Sequence, residues 1–368
     1  MRDRSRRTIL RRTRHGLTAA VAAVALGGVV AACSSSGSSS PSTSAGGGSS
    51  TATTSTLTVS VASADFSFSP LFLAESQGYF AKEGLKVNIL TGPVASTVPY
   101  LVSGKADLTL YAVLPGLLAA DQGADIKFVY QNLNIFGLAL LGAPNVKTVA
   151  QAQALQSCKI GSAPAGSLTY AFTNLYIQKL GLKCTISQVT SVPLVASGTV
   201  AGTYQLGVDT LSPSVVAASS GANLLVDPRS PGFEAKYIPE AYLDESVFGI
   251  GSHLATIKPQ VVKFIQAMQQ VQGLLKSQTP AQLAADLLES PQFAGQSASS
   301  LTTGFTQLKS TLQQGCLGGA QGEITETCWN ATLKGVGTWG VPTFNSESSA
   351  NTYANRVDMS YYDAAQSH

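Results

Sequence analysis

From residue 57 onward the chain switches repeatedly between two hydrophobic periods. Short runs with alternating apolar and polar residues give way to stretches where apolar residues recur every three or four positions. Leu57-Thr58-Val59-Ser60-Val61 alternates and reads as a strand. Ser69 to Leu90 then reads as a helix, a glycine stop, another helical turn and a strand. Ser69 is a candidate N-cap, and Pro70 suits the first helical position, where its missing N–H would have no partner anyway. Gly78 supplies a left-handed stop, and Gly84 a second break before Val87 and Ile89. The result is a βαβ unit. Its first loop, Ala62 to Ser69, lies at the end of a parallel sheet where α/β proteins bind ligands.

The alternation continues. Ala95 to Ser103 reads as a helix, Ala106 to Leu110 as a strand, Pro115 to Asp121 as a helix and Ile126 to Gln131 as a strand. Phe136 to Leu141 is another apolar strand, closed by Gly142 and Pro144, and completes a first lobe at 57–145. A second α/β lobe, 146–244, has strands at Lys159 to Gly161, Thr185 to Val189, Leu206 to Asp209 and Asn223 to Val226. Its helices are Ser167 to Leu180, one around Gly198 to Tyr204 and one starting at Ser212-Pro213. Asp227 to Asp244 has three prolines and little periodicity, and reads as a return crossing. Val247 to Ser252 reads as a strand rejoining the first lobe. The segment 245–368 is this return plus a helical C-terminal part, clearest at Lys258 to Lys276 and again at Pro280 to Leu288. The fold class expected is α/β with two lobes.

Composition changes this picture at the start of the chain. The net charge of +3 comes from residues 1–32, which hold seven arginines and one aspartate; the remainder carries −3. Lysines after that point are scattered, so a nucleic-acid surface is not expected. A basic segment, an apolar stretch from Gly16 to Ala32 and small residues before Cys33 make an export signal. Val30-Ala31-Ala32-Cys33 resembles a lipobox, with Cys33 the residue to be lipidated; an uncleaved anchor is the alternative. Ser5 to Leu10 also resembles a twin-arginine export motif, and Sec or twin-arginine export stays open. Residues 33–56, almost wholly Ser, Gly, Thr and Ala, cannot bury enough apolar surface to order themselves and read as a tether. The expected location is extracytoplasmic, lipid-anchored to a bacterial cell membrane.

Four cysteines remain and allow three pairings. Cys158 with Cys184 joins two predicted strand starts, and Cys316 with Cys328 clips a glycine-rich loop. These local pairs are favoured in an exported compartment. A zinc site would call for clustered histidines or CxxC spacing, and after the leader there are only His253 and His368 and no CxxC. No metal or cofactor is expected.

Catalytic signatures are scarce: there is no GxSxG, HExxH or Walker A pattern. Ser252-His253 would point to opposite faces of the expected strand. The best ligand element is Gly161 to Thr169, a Gly/Ser loop between a buried strand and a helix. Backbone N–H groups at the helix start, with the hydroxyls of Ser162, Ser167 and Thr169 and close approach at Gly166, suit an anionic or strongly polar group. A plain βα turn with caps explains the same residues. Asp209 ends a strand and either accepts from a ligand or caps the helix near Ser212. Only Arg229 and Arg356 follow the leader, so an Arg clamp for a carboxylate is not expected.

The segments FSPLFLAESQGYFAKEGLKVNIL, LVSGKADLTLYAVLPGLLAADQGADIKFV and KIGSAPAGSLTYAF resemble solute-binding lipoproteins of nitrate/sulfonate/taurine-type ABC transporters, over roughly residues 57–275. The resemblance implies a type II periplasmic-binding fold with a ligand between the lobes. It also implies partnership with ABC permease subunits, a small-molecule ligand and no chemistry of its own; a monomer is expected. Positions matching the family's cleft loops are Asp65 to Ser69, Gly92 to Thr97 and Tyr111-Ala112. Phe66, Phe68 and Tyr111 are either stacking walls or core aromatics. Ser96 and Thr97 sit at a helix start, and Asn132 and Asn134 follow the fourth strand. A sulfonate or neutral heteroaromatic fits better than an amino-acid carboxylate. Two other classes stay open: an exported enzyme related to thiamine-pyrimidine synthases, and a cell-wall interaction protein with a vestigial cleft.

Overall fold

The computed structural model describes residues 55–62, 64, 66–133, 138–190, 193–228, 230, 232–238, 242–311, 319–339 and 344–367. The expected export signal and residues 33–54 of the expected tether, Cys33 among them, lie outside them, while Ser55 and Thr56, expected to end the tether, already belong to the first strand. Among the described residues no helix is long and apolar enough to cross a membrane.

The strands, in chain order, are β1 Ser55–Val61, β2 Leu85–Thr91, β3 Leu108–Ala112, β4 Ile126–Leu133, β5 Ala139–Gly142, β6 Cys158–Ser162, β7 Cys184–Gln188, β8 Leu206–Asp209, β9 Asn223–Val226 and β10 Glu245–Ile250. They form two five-stranded sheets, β2-β1-β3-β10-β4 and β7-β6-β8-β5-β9. Each sheet is parallel around β1 or β6, with one antiparallel strand inserted: β10 between β3 and β4, and β5 between β8 and β9. The inserted strand is in each case the first one laid down after the chain crosses between lobes. This is the mixed α/β, two-lobed periplasmic-binding architecture expected.

One strand changes lobe. The apolar run expected to finish the first lobe is β5, which pairs with β8 and β9 in the second sheet. Phe136 lies outside the described residues. The outward crossing therefore precedes β5. Hydrophobicity marks β5 as buried on both faces, but such a run carries no signal for which sheet receives it.

Two smaller expectations also shift. Ser69 is the first residue of the helix Ser69–Ser76 and not its cap, because a 3₁₀ turn, Phe66–Phe68, runs directly into it. Its hydroxyl is buried without a partner. Gly78, at φ +70, ends this helix region as expected. Ser252 and His253 belong to the helix Gly251–Thr256, not to a strand. There the Ser252 N–H donates to Asp125 and the His253 ring pairs with Asp107 at 2.7 Å.

Each lobe has its own core. The first packs Phe72, Phe128, Phe248, Phe264 and Trp329; the second packs Phe172, Tyr176, Leu206 and Trp339. Two helices serve both. In Val113–Asp121, Leu117 points to the first core, while Leu114 and Leu118, one turn apart, meet the second. In Glu326–Thr338, Trp329 lies 5.0 Å from Phe128, and Trp339, just past the helix end, lies 5.0 Å from Phe172 and 4.7 Å from Tyr242. The C-terminal part thus ties the lobes together. It also covers the edge strand β4, where Asp358 N–H donates to the Phe128 carbonyl and Gln131 N–H to that of Gly322, leaving that edge closed to pairing with other chains.

Cys158 and Cys184 form the expected disulfide, at directly paired positions of β6 and β7. Cys328 is disulfide-bonded, and its expected partner Cys316 lies outside the described residues.

Candidate functional site

A cleft of about 500 Å³ opens between the lobes. The first lobe contributes the 3₁₀ turn Val94–Ser96, the helix Thr97–Val102, Tyr111 at the end of β3, and the helix Val113–Asp121. The second contributes the loop from Pro164 to Ser167. Its walls are mostly apolar, among them Val94, Val98, Val102, Pro115 and Leu118, with Ser103, Gln122 and Ser167 as polar points. None of the lining residues is a lysine, arginine, histidine, aspartate or glutamate. A mostly apolar concavity with a few polar groups is the usual form of a small-molecule site.

The loop from β6 explains the position of Gly166. Its φ of +86 turns the chain so that the next residue, Ser167, caps the helix Leu168–Leu180. Ser167 Oγ donates to the Pro164 carbonyl at 2.7 Å and accepts from Tyr170 N–H at 3.1 Å. The hydroxyl is therefore engaged in the turn itself. What the loop presents to the cleft is backbone and the helix N-terminus, where a negative or acceptor group is favoured. Gln188 Oε1 accepts from Ala165 N–H at 2.9 Å and holds the loop from the neighbouring strand.

Of the residues singled out from sequence, Tyr111, Gly166 and Ser167 are brought together along this cleft. Phe68 is buried 6.2 Å from the Tyr111 ring and backs it. Phe66 packs edge-on against Phe305 at 4.8 Å and lies over Gly304, in the first core's surroundings. Ser96 closes the 3₁₀ turn that begins at Val94, and Ala112 is a buried residue at the start of the helix Val113–Asp121. Thr97 is fully buried; its carbonyl accepts from Ser60 Oγ and its own hydroxyl has no partner. Ser162 accepts from Thr173 Oγ1 at 2.9 Å, and the Thr169 carbonyl accepts from the same hydroxyl at 2.7 Å. Asp65 and Asn134 lie outside the described residues. Asn132 donates to Glu245 at 3.3 Å.

Asp209 serves a second helix besides the start of the expected one, Leu211–Ser219, whose N-cap is Thr210. Its carboxylate accepts from Ala196 N–H at 3.1 Å, in the first turn of the helix Pro193–Val200, and from Thr210 N–H at 2.8 Å. Fully buried, it holds two helix starts beside β8.

Sequence reasoning reached only the start of the first-lobe wall, Val94 and Ala95 within the expected Gly92 to Thr97 loop, and missed Val98 and Val102. Val94, Val98 and Val102 recur every four residues, while Thr97 and Leu101 turn to the sheet. The second stripe was the available signal. Val102 stays 54% exposed, which a helix stripe devoted to the core would not be. One further group, Asp244, precedes β10 and stands near Tyr242. Burial pushes the Asp244 carboxyl up to about 8.

The family described as NMT1/THI5 like matches residues 65–273, more than half of the chain. A solved structure from Bordetella bronchiseptica RB50 superposes with a TM-score of 0.71 at 17% identity, covering 85% of this chain and 97% of that one. The alkanesulfonate-binding protein SsuA from Xanthomonas axonopodis pv. citri, bound to MOPS, gives 0.57 at 17% identity over 76% of this chain and 90% of its own. Likenesses at that identity are likenesses of fold. A curated 4-amino-5-hydroxymethyl-2-methylpyrimidine phosphate synthase from Uromyces fabae is 46% identical over 61 residues, 16% of this chain and 18% of its own. The match thus spans less than a fifth of that relative.

Proposed function

The chain belongs to the NMT1/THI5-like family, and on that premise we propose that it is an extracytoplasmic solute-binding lipoprotein, tethered through Cys33, that delivers a small organic molecule to an ABC importer. The observation that carries this reading is the cleft itself. Tyr111 of the first lobe and Gly166–Ser167 of the second meet across it, in a fold shared with an alkanesulfonate-binding protein and with a ligand-binding component of an ABC-type import system. The apolar walls take the body of a sulfonate-like or heteroaromatic molecule, and the N-terminus of the helix Leu168–Leu180 takes its polar head.

The short match to a pyrimidine phosphate synthase favours a second reading, an enzyme on the same fold. Two features of the described residues weigh against it. No lysine or histidine lines the cleft, and His253 follows β10 at the far end of the strand, paired with Asp107. Native mass spectrometry of gently purified protein separates the two. A solute-binding protein carries a small molecule that is released intact on denaturation and survives prolonged incubation unchanged. Conversion of that molecule during incubation would overturn the transport reading, and so would failure of any small molecule to raise the melting temperature.

A further inference from the structure

The strands β2 and β3 flank β1 and run in its direction, so each feeds its helix from the same edge of the first sheet. The two helices, Thr97–Val102 and Val113–Asp121, leave that edge in contact with each other. Each turns an apolar stripe to the cleft. Val98 and Val102 continue from Val94 in the preceding 3₁₀ turn, and Pro115 and Leu118 stand on the second helix. Both stripes stop at a polar residue just past the helix end, Ser103 and Gln122. The cleft is therefore a groove with a defined far end. Val94 and Val102 are eight residue steps apart, so the groove is about 12 Å long at ~1.5 Å per residue.

Exposure rises along the valine stripe. Val94 is 9% exposed, Val98 is half-buried and Val102 is 54% exposed. Among the described residues the other large apolar side chains so exposed are Leu194 and Val216, and neither lines the cleft. A scattered surface valine needs no explanation, but one continuous with the wall of a concave site marks space that a ligand covers. The second lobe stands over the middle of this groove, since a Cβ added at Gly166 would lie 3.7 Å from Leu118 Cδ1. A compact ring held at that loop leaves Val102 in water. A chain that runs outward from it covers Val102.

We propose that the groove selects an elongated, single-headed amphiphile, whose unbranched apolar tail lies along the valine stripe and reaches Val102. The inference rests on the solute-binding reading and names the ligand's class: a flexible chain in place of a heteroaromatic ring, with its acceptor head at the start of the helix Leu168–Leu180. No charged side chain lines the groove, so nothing along the tail's path favours a second charged group there. Val102 is the specificity-determining residue, because only a tail long enough to pass Val98 gains its contact. The stripe also sets an upper limit. Carbon–carbon bonds of ~1.5 Å at ~111° advance an extended chain by about 1.25 Å per carbon, so the groove takes about ten carbons.

The test is a calorimetric titration of the full-length protein with unbranched alkanesulfonates from ethane- to dodecanesulfonate, each kept below its micelle-forming concentration. Affinity should rise roughly two- to fourfold per added methylene, the gain expected for burying a CH₂ group, and level off by about the tenth carbon. Val102→Ser should weaken decanesulfonate roughly three- to tenfold more than butanesulfonate. Leu194→Ser, which removes an exposed apolar side chain away from the cleft, should leave that ratio at the parental value; a thermal melt of each variant checks folding. The inference is overturned if affinity stays within about twofold from butane- to decanesulfonate, or if Val102→Ser weakens the two alike. Should no sulfonate bind while native mass spectrometry finds another co-purified small molecule without such a tail, this inference fails and the cleft reading stands. If neither measurement finds a ligand, both fail.

Discussion

Gly166 is where backbone conformation and ligand space meet, so Gly166→Ala tests the cleft most directly. At φ +86 an L side chain is strained, at a cost of about 1–2 kcal/mol. An added Cβ meets only Leu118 Cδ1, at 3.7 Å, an ordinary contact, so the stability loss is wholly conformational. The new methyl nevertheless stands in the gap between the Pro164–Ser167 loop and the helix Val113–Asp121, where the ligand's polar head has to approach. Gly181→Ala is a matched control. It ends the helix Leu168–Leu180 with φ +62, and an added Cβ there meets nothing within 4 Å. Both variants should lose about 1–2 kcal/mol in urea unfolding. Only Gly166→Ala should also lose the small molecule that co-purifies with the parent, read by native mass spectrometry. If Gly166→Ala carries the parental ligand at parental occupancy, the cleft is not the binding site. If Gly181→Ala loses it equally, the effect is one of stability and not of space.

Asp244→Asn should change the pH dependence of stability. Burial pushes its carboxyl up to about 8, well above the ordinary carboxylate range, so the native state binds the proton more tightly and the parent loses stability as pH rises from about 4 to about 8. The variant lacks this loss and should gain roughly 2–5 kcal/mol on the parent between those limits; parallel curves in urea unfolding would contradict the assignment. Trp339→Ala removes a buried ring that touches Phe172 and Tyr242 and should cost about 3–5 kcal/mol, with faster amide exchange in the helix Leu168–Leu180. A loss under about 1 kcal/mol would show that the C-terminal part does not brace the second lobe. Cys33→Ala should move the protein out of the membrane fraction or leave its leader uncleaved, and retention with membranes at the mature mass would refute lipid anchoring. Non-reducing peptide mapping should recover Cys328 linked to Cys316, separately from Cys158–Cys184; a crossed pair would refute the local pairing.

The hydrophobic periods were sufficient to place nearly every strand, because period two against period 3.6 is a local property of side-chain direction. Disulfide position was also legible, since Cys158 and Cys184 each open a strand and parallel neighbours bring such starts together. The loop at Gly166 could be picked out because a glycine and hydroxyl run before a helix reports local backbone needs. The lobe that receives β5 was not legible: Leu140 and Leu141 are buried whichever sheet they join. Asp209 was equally ambiguous, and only the approach of the helix Pro193–Val200 decided which N–H groups its carboxylate would meet. The same holds for the valine wall at Val98 and Val102, and for Ser246 opposite Tyr111. Residues far apart in the chain share a face there because β10 returns antiparallel between β3 and β4. Sequence by itself determined what each segment becomes, since that depends on neighbours along the chain. Tertiary structure alone decided which segments meet across the cleft, since pairing depends on the whole core closing at once.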